Sequence, residues 1–159
     1  MNLYNFHAEP EPESLLLFKE ADEYVLEVFW DKYRNKPGEL RKRERAISVD
    51  ARYAYNYVLN ILTRPFPAGE AAIATDAYCA YCYAKDILRG PFPKGEEAIS
   101  KNAHRAYYYA QDVLKGPFPA GEEAISKDIY LAGYYAKYVL KADFYYNGKL
   151  IVKFKNEPI

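Results

Sequence analysis

The chain has 159 residues, half of them apolar, and its 22 Lys and Arg residues balance its 22 Asp and Glu residues. This composition is typical of a folded protein and excludes a disordered chain. The zero net charge argues against a general binder of polyanions, which carries a basic excess. The 18 tyrosines suit both half-buried positions and binding surfaces, because each has a large apolar face and one polar tip.

The first residues and the cysteine content indicate the compartment. Residues 1–10 contain neither a basic segment nor a long apolar run, so we expect no signal peptide. The apolar run at 15–18 is too short to span a membrane, and no membrane association is expected. With only Cys79 and Cys82, the chain reads as a reduced, cytoplasmic protein.

Residues 1–43 are predicted to form an N-terminal segment and a capping helix. A short strand at 3–6 and a Pro-Glu-Pro-Glu tract precede Ser14, which can cap a helix running to about residue 33. This helix is acidic, and a basic patch with four Lys and Arg residues follows at 41–45. We interpret the two charged segments as paired or solvated, with nucleic-acid contact through the basic patch as the alternative.

Four copies of a 26-residue unit occupy residues 44–142. The unit recurs without gaps, which indicates a stacked array of repeats. The positions that recur are Glu44, Glu70, Glu96 and Glu122; Ile47, Ile73, Ile99 and Ile125; Asp50, Asp76, Asn102 and Asp128; Ala54, Ala80, Ala106 and Ala132; Tyr57, Tyr83, Tyr109 and Tyr135; and Leu62, Leu88, Leu114 and Leu140.

Each unit reads as a short helix followed by a long one. The short helix begins at Pro-x-Gly-Glu, and the recurring Asp or Asn caps a long helix of about 13 residues. Gly90 and Gly116 are predicted to end the long helices in the left-handed conformation, with the next Pro preventing continuation. The Phe of each Pro-Phe-Pro is expected to fill the space between units, namely Phe66, Phe92 and Phe118.

The long helix has a predicted inward stripe and an outward face. In the second unit the stripe is Ala80, Tyr83, Ala84, Ile87 and Leu88, at helical spacing, and Tyr81 flanks it. The outward positions vary between copies, and one of them holds Asn56, Cys82, Tyr108 and Tyr134.

After Leu140 the repeat pattern is predicted to stop. Asn147-Gly148 lies between two β-rich runs and predicts a hairpin at 143–159, which we expect to cap the last repeat. Pairing of this hairpin with residues 3–6 is a hypothesis. The predicted fold is mostly α, a single compact domain in which an α-solenoid-like array of four helix pairs lies between the N-terminal helix and the C-terminal β-hairpin.

No group of residues has the spacing of a catalytic or metal site. Cys79 and Cys82 form a C-x-x-C, but they occupy variable positions inside a helix, where a thiolate is not activated. No second Cys/His pair could complete a zinc site. The recurring Glu residues should lie about 10 Å apart, too far for one ion to bridge. We predict no enzymatic activity, no cofactor and no metal.

The outward face is the predicted site. Tyr interleaved with Lys and Arg can stack on and neutralise an anionic ligand, or it can anchor a protein partner, and a merely solvated face is the third interpretation. The candidate residues are Tyr78, Lys85, Arg89, His104, Tyr108, Tyr130, Tyr134 and Lys137.

The repeat resembles one found in uncharacterised bacteriophage proteins, with tandem copies of YAxxVLxGPFPxGExAI. Here the match is residues 83–99 and again from Tyr109, within a resemblance that covers about 44–142. This resemblance implies phage origin and action in the bacterial cytoplasm, but no activity. We therefore predict a non-catalytic scaffold or adaptor that binds a host or phage protein. The alternative is a module that sequesters a nucleotide or nucleic acid through the Tyr/Lys face.

Overall fold

The computed structural model describes residues 35–36, 38–39 and 43–154. The predicted strand at 3–6 and the predicted helix at 14–33 lie outside these residues, as does the hypothetical pairing of the strand with the hairpin. By its internal contacts the chain divides into two units, Met1–Ile47 and Ser48–Ile159. In the first unit, the Arg43 guanidinium pairs with the Glu39 carboxylate at 3.1 Å.

The described chain is mostly helical, and short helices alternate with long ones. The short helices are α1 (Glu44–Ile47), α3 (Glu70–Ile73), α5 (Glu96–Ser100) and α7 (Glu122–Ser126). The long helices start as α-helix and end as π-helix: α2 (Ala51–Tyr57, then Val58–Leu62), α4 (Ala77–Cys82, then Tyr83–Leu88), α6 (Ala103–Tyr108, then Tyr109–Leu114) and α8 (Ile129–Tyr134, then Tyr135–Leu140). Each long helix packs against the next one, which confirms the predicted helical-repeat array.

The long helices begin where the sequence predicts. The Asp76 carboxylate accepts a hydrogen bond from the backbone N–H of Cys79 at 2.8 Å, and Asn102 does the same for Arg105 at 3.0 Å. Asp50 and Asp128 cap α2 and α8 in the same way. Each capping residue has extended backbone angles, as an N-cap requires.

The ends of the long helices differ from the prediction. The left-handed residue is Arg89, with φ 53°, and not Gly90. The backbone N–H groups of Arg89 and Gly90 both donate to the carbonyl of Ala84, which closes the π-helix. The equivalent left-handed residues are Thr63, Lys115 and Lys141. Since the glycine does not supply the left-handed conformation, Arg64 and Ala142 can occupy the same position.

The π-helical halves also change the predicted stripe. Ala80, Tyr83 and Ala84 are fully buried, as expected, and Tyr81 is 6 % exposed beside them. Ile87 and Leu88 are only half-buried. Bonding from residue i to i+5 does not preserve the 3.6-residue spacing on which the stripe was predicted, and this accounts for the difference.

The Pro-Phe-Pro linkers are held by the recurring Tyr and Glu. The hydroxyl of Tyr109 accepts from the Phe92 backbone N–H at 2.8 Å and donates to the Glu96 carboxylate at 2.9 Å. The Phe92 ring packs edge-on against Tyr83 of the preceding unit, with ring centroids 5.1 Å apart. Tyr83 and Tyr135 form the same pair of hydrogen bonds, so the recurring Glu fastens the linker.

The second glycine of the motif is required by close packing. A Cβ at Gly95 would lie 2.6 Å from the Phe92 ring and 2.7 Å from the Ala80 Cβ. Gly69 and Gly121 meet equivalent neighbours. The linker therefore lies directly against the long helix of the preceding unit.

The predicted hairpin is present and consists of β1 (Phe144–Tyr146) and β2 (Lys149–Val152). Asn147 and Gly148 both have positive φ, as a type I′ turn requires. The hairpin packs on α7 and α8 and so caps the last repeat, as expected. The repeat pattern, however, extends beyond Leu140. Phe144 continues the register of Phe66, Phe92 and Phe118, and its buried ring lies 5.1 Å from that of Tyr135.

Candidate binding surface

All eight predicted site residues are exposed. They differ in what they contact. The prediction is wrong for one other residue assigned to the outward face, Cys82. Cys82 is only 8 % exposed and therefore does not contribute to the outward face.

Six tyrosines contact one another or share a bound cation across α4, α6 and α8, and we call them the tyrosine row. Its members are Tyr78, Tyr81, Tyr107, Tyr108, Tyr134 and Tyr138. The ring centroids of successive contacts are 5.0 to 6.3 Å apart, from Tyr81 through Tyr108, Tyr107 and Tyr134 to Tyr138. The guanidinium of Arg105 lies 4.7 Å from the Tyr78 ring centroid and 5.8 Å from that of Tyr81, which joins Tyr78 to the row.

Five of the eight predicted residues belong to the row or touch it. Tyr78, Tyr108 and Tyr134 are members. The Lys85 ammonium lies 5.5 Å from the Tyr81 ring centroid, and the Lys137 ammonium lies 5.2 Å from that of Tyr138.

The other three predicted residues are not brought to the row. Within residues 43–154, no hydrogen bond, ion pair or ring contact joins Arg89, His104 or Tyr130 to it. Arg89 instead serves as the left-handed residue that ends α4.

The contact between α4 and α6, which we call the inner joint, contains a closed polar network. The Tyr81 hydroxyl donates to Asp112 Oδ2 at 2.6 Å. The Lys85 ammonium donates to the same oxygen at 2.8 Å and to the Tyr81 hydroxyl at 3.1 Å. The charges of the inner joint are thus satisfied within the protein.

The pKa values at the inner joint do not favour acid–base chemistry. Burial, followed by the hydrogen bond to Asp112, raises the pKa of Tyr81 to about 12. Burial alone would raise the pKa of Asp112, but hydrogen bonds from Lys85 and Tyr81 outweigh it and hold that pKa below its usual range. At neutral pH the phenol stays protonated and the carboxyl stays ionised, so neither group is poised to exchange a proton.

We call the contact between α6 and α8 the outer joint. In it, an uncharged residue stands at the position of each charged group of the inner joint. Gln111 takes the place of Lys85, Leu131 that of Arg105, and Tyr138 that of Asp112. Gly133 of α8 stands where the earlier repeats have Tyr55, Tyr81 and Tyr107, which contact the following long helix, so it belongs to the other face of α8 and not to the outer joint. The outer joint is therefore an uncharged patch of four tyrosines, Tyr107, Tyr108, Tyr134 and Tyr138.

Sequence reasoning missed three residues that shape the surface, Arg105, Asp112 and Tyr138. A signal was present for Arg105, since the same position in the other units holds Tyr53, Cys79 and Leu131, all of which are buried. An arginine in an otherwise buried position indicates an aromatic or carboxylate partner. Asp112 gave no such signal, because its partner Tyr81 is 31 residues earlier in the chain. Tyr138 contacts Tyr134 and Lys137, and nothing in its local sequence distinguishes it from the other tyrosines.

The cysteines do not form a reactive site. Cys79 and Cys82 are buried free thiols. Burial, more than any other cause, raises the pKa of each thiol, which disfavours the nucleophilic thiolate. Among the described residues, no three His, Cys, Asp or Glu side chains converge as metal ligands.

A separate open groove of about 630 Å³ lies between α3 and α5. Its two lysines are already paired, Lys94 with Glu70 and Lys101 with Glu97, each at 2.7 Å. The groove therefore offers a ligand little unpaired charge, and the tyrosine row is the stronger candidate surface.

In the described part of the chain, no helix has the length and apolarity needed to cross a membrane. The chain matches no protein-family model, no curated protein and no solved structure.

Proposed function

We propose that the protein is a non-catalytic helical-repeat adaptor that binds another protein through the tyrosine row. One observation carries the proposal: the row is continuous across three long helices, and four of its six tyrosines are about half exposed, while Tyr81 and Tyr107, which link them, are buried. Tyr78, Tyr108, Tyr134 and Tyr138 are 40 to 51 % accessible. Several exposed tyrosines on neighbouring helices are typical of interfaces, where tyrosine contributes large area at low entropic cost.

The scaffold beneath the row supports this function because it is internally fastened. Each Pro-Phe-Pro linker from Phe66 onward is bonded to a buried tyrosine hydroxyl. The Tyr55 hydroxyl of the first repeat donates to Asp86 of the second repeat at 3.1 Å, and the Tyr81 hydroxyl donates to Asp112 in the same way. A surface held in one arrangement loses little conformational entropy on binding, which favours affinity.

A nucleotide or nucleic acid is the less favoured ligand. Tyrosine rings next to Lys137 suit base stacking. However, the Lys85 ammonium is neutralised by Asp112, and Asp86 places a second carboxylate beside Tyr55. Carboxylates within the surface repel phosphates, so we favour a protein partner, and the resemblance of the repeat points to one of phage or host origin.

Affinity capture with matched variants tests the proposal. We expect the wild-type protein and Tyr145→Ala to retain the same bacterial or phage proteins, and Tyr108→Ala/Tyr134→Ala to lose them. Tyr145 is a fair control because it is a 53 % exposed tyrosine in β1, outside the row. Thermal unfolding of each variant verifies that it is folded.

The adaptor function is wrong if all three proteins retain the same set. It is also wrong if nuclease treatment removes everything that depends on Tyr108 and Tyr134, because the ligand would then be nucleic acid.

A further inference from the structure

One face of α8 is not covered by any other long helix of the described chain. On α4 the same face contacts the next long helix, because Tyr78 and Tyr81 lie under Arg105 of α6, and Lys85 pairs with Asp112. After α8 comes the hairpin, whose β2 packs against the first half of α8. The place that a further long helix takes in the earlier repeats is therefore open on α8.

We call this open surface the end face. Its four residues stand at the repeat positions of Ala77, Tyr78, Tyr81 and Lys85 on α4, and they are Ile129, Tyr130, Gly133 and Lys137. Ala77 lines a groove together with Ala98 of the next repeat, which shows that its position also faces the following unit.

The end face exposes large apolar side chains. Tyr130 is 78 % exposed, more than any other large apolar side chain in the described part of the chain. Ile129 is 61 % exposed, although the earlier repeats have only Ala51, Ala77 and Ala103 in its place. The last repeat of an array usually presents a polar outer surface. An apolar one indicates that it is covered by another protein surface.

A second copy cannot cover the end face by continuing the array. That stacking would use the face of α2 that corresponds to Arg105 of α6 and Leu131 of α8, each of which lies towards the preceding helix. The equivalent residue of α2 is Tyr53, which is only 2 % exposed, so this face of α2 is not open. A second copy would instead bring its own end face, in the two-fold arrangement that is commonest among homodimers.

The end face is self-complementary when two α8 helices run antiparallel and cross at Gly133. An added Cβ at Gly133 meets nothing within 4 Å, so two helices can approach closely there. Tyr130 precedes the crossing by about 4.5 Å and Lys137 follows it by about 6 Å, which brings each Tyr130 beside the other copy's Lys137. Tyr78, the equivalent tyrosine of α4, already lies 4.7 Å from the guanidinium of Arg105 on the facing helix.

The charge of Lys137 favours the antiparallel arrangement over a parallel one. A parallel two-fold pair would place the two Lys137 ammonium groups directly opposite each other. In the antiparallel pair they are roughly 12 Å apart along the helices, beyond the distance of about 8 Å over which charges act at physiological salt.

We propose that the end face joins two copies of this chain through antiparallel α8 helices. Lys137 of each copy lies over the Tyr130 ring of the other, and Ile129 packs at the margin. The exposed parts of Ile129 and Tyr130 supply roughly 250 Å² per copy, less than the about 800 Å² of a standard interface, so the dimer is weak. It carries two tyrosine rows, and its formation does not depend on the adaptor function.

Sedimentation equilibrium of the full chain tests the dimer. The concentration series extends to about 1 mM, where a dimer with a Kd in the upper micromolar range predominates. We expect the mass of the wild-type protein to rise towards that of two chains, and Tyr130→Ala to remain monomeric. Tyr78→Ala is the matched control, because it removes a 51 % exposed tyrosine at the same repeat position of α4, and it should dimerise like the wild type.

Disulfide cross-linking tests the arrangement of the two helices. Gly133→Cys should form an interchain disulfide, because the Cα atoms at a helix crossing come within the about 7 Å that a disulfide spans. Cys79 and Cys82 do not compete, since both are buried. Lys137→Cys should not cross-link to itself, whereas a mixture of Tyr130→Cys and Lys137→Cys chains should form a disulfide between the two variants.

Tyr145→Cys controls for random collisions, because it places a thiol at an exposed position outside the end face, and it should cross-link far less than Gly133→Cys. Equal cross-linking of these two variants would overturn the assigned contact. Cross-linking of Lys137→Cys to itself, without the mixed disulfide, would overturn the antiparallel arrangement.

The remaining outcomes decide what covers the end face. A wild-type protein that is monomeric throughout the series, or a Tyr130→Ala variant that dimerises as well as the wild type, makes the proposed dimer wrong. If the wild type is monomeric and Tyr130→Ala loses proteins in affinity capture, the end face binds a different protein. The adaptor function is tested separately, because it requires Tyr108 and Tyr134 and not Tyr130.

Discussion

Among single residues, two glycines should respond in opposite ways to an added methyl group. Gly95→Ala places a Cβ 2.6 Å from the Phe92 ring and 2.7 Å from Ala80, so we expect a loss of about 1–3 kcal/mol in the free energy of unfolding. Gly133→Ala meets nothing within 4 Å inside α8 and should gain about 0.5–1 kcal/mol, because glycine weakens a helix interior. Denaturant unfolding of both variants measures the difference. A stable Gly95→Ala would mean that the linker does not pack against the helix.

For the secondary-structure elements, sequence reasoning succeeded where the chemistry is local. The caps at Asp76 and Asn102 and the Asn147-Gly148 turn were predicted, because each depends on residues within a few positions. The π-helical halves were not, since no residue in them signals i to i+5 bonding. The periodicity identified the exposed residues of the outward face, but not that Arg105 and Asp112 close the inner joint.

The helix ends provide a prediction at the same scale. Arg89 carries φ 53°, which costs a non-glycine residue about 1–2 kcal/mol, so Arg89→Gly should raise the free energy of unfolding by roughly 1 kcal/mol. Gly90→Ala should change it by less than about 0.5 kcal/mol, because Gly90 is not left-handed and its nearest neighbour to an added Cβ is the Leu88 carbonyl at 3.9 Å. Urea titration measures both variants, and a larger loss from Gly90→Ala than from Arg89→Gly would restore the glycine cap predicted from sequence.

In the second unit, Ser48–Ile159, one set of contacts is repeated and then altered. A hydrogen bond from a tyrosine to the aspartate of the next repeat occurs at Tyr55 and Tyr81, but Tyr107 lies near Tyr138 instead. The array itself needs only that neighbouring helices pack. The loss of charge at the outer joint therefore does not serve stacking, and it occurs where Tyr134 and Tyr138 are about half exposed. An alignment of the repeats alone does not show this loss of charge, because the contacts are needed to tell which positions face each other.

The array as a whole should unfold in alkali, because its structure depends on protonated tyrosines. Burial raises the pKa of Tyr83 from its ordinary value near 10 to about 12, and it also raises the pKa values of Tyr55, Tyr109 and Tyr135. Between pH 10 and 12 the folded state therefore holds protons that the unfolded state releases, so the free energy of unfolding falls as pH rises. Stability from these groups is complete below pH 10 and is lost as pH rises through the folded-state values.

Circular dichroism and tyrosine absorbance, recorded over the same alkaline titration, measure this effect. We expect helix loss and ionisation of the buried tyrosines to occur together, because a phenolate at Tyr109 would lie against the Glu96 carboxylate and could no longer donate to it. Tyr83→Phe/Tyr109→Phe should be less stable at neutral pH, because the Phe66 and Phe92 backbone N–H groups lose their acceptor. It should also show a shallower loss of stability with pH, since two of the titrating groups are gone. Complete ionisation of all tyrosines without loss of helix would contradict a core built on hydrogen-bonded phenols.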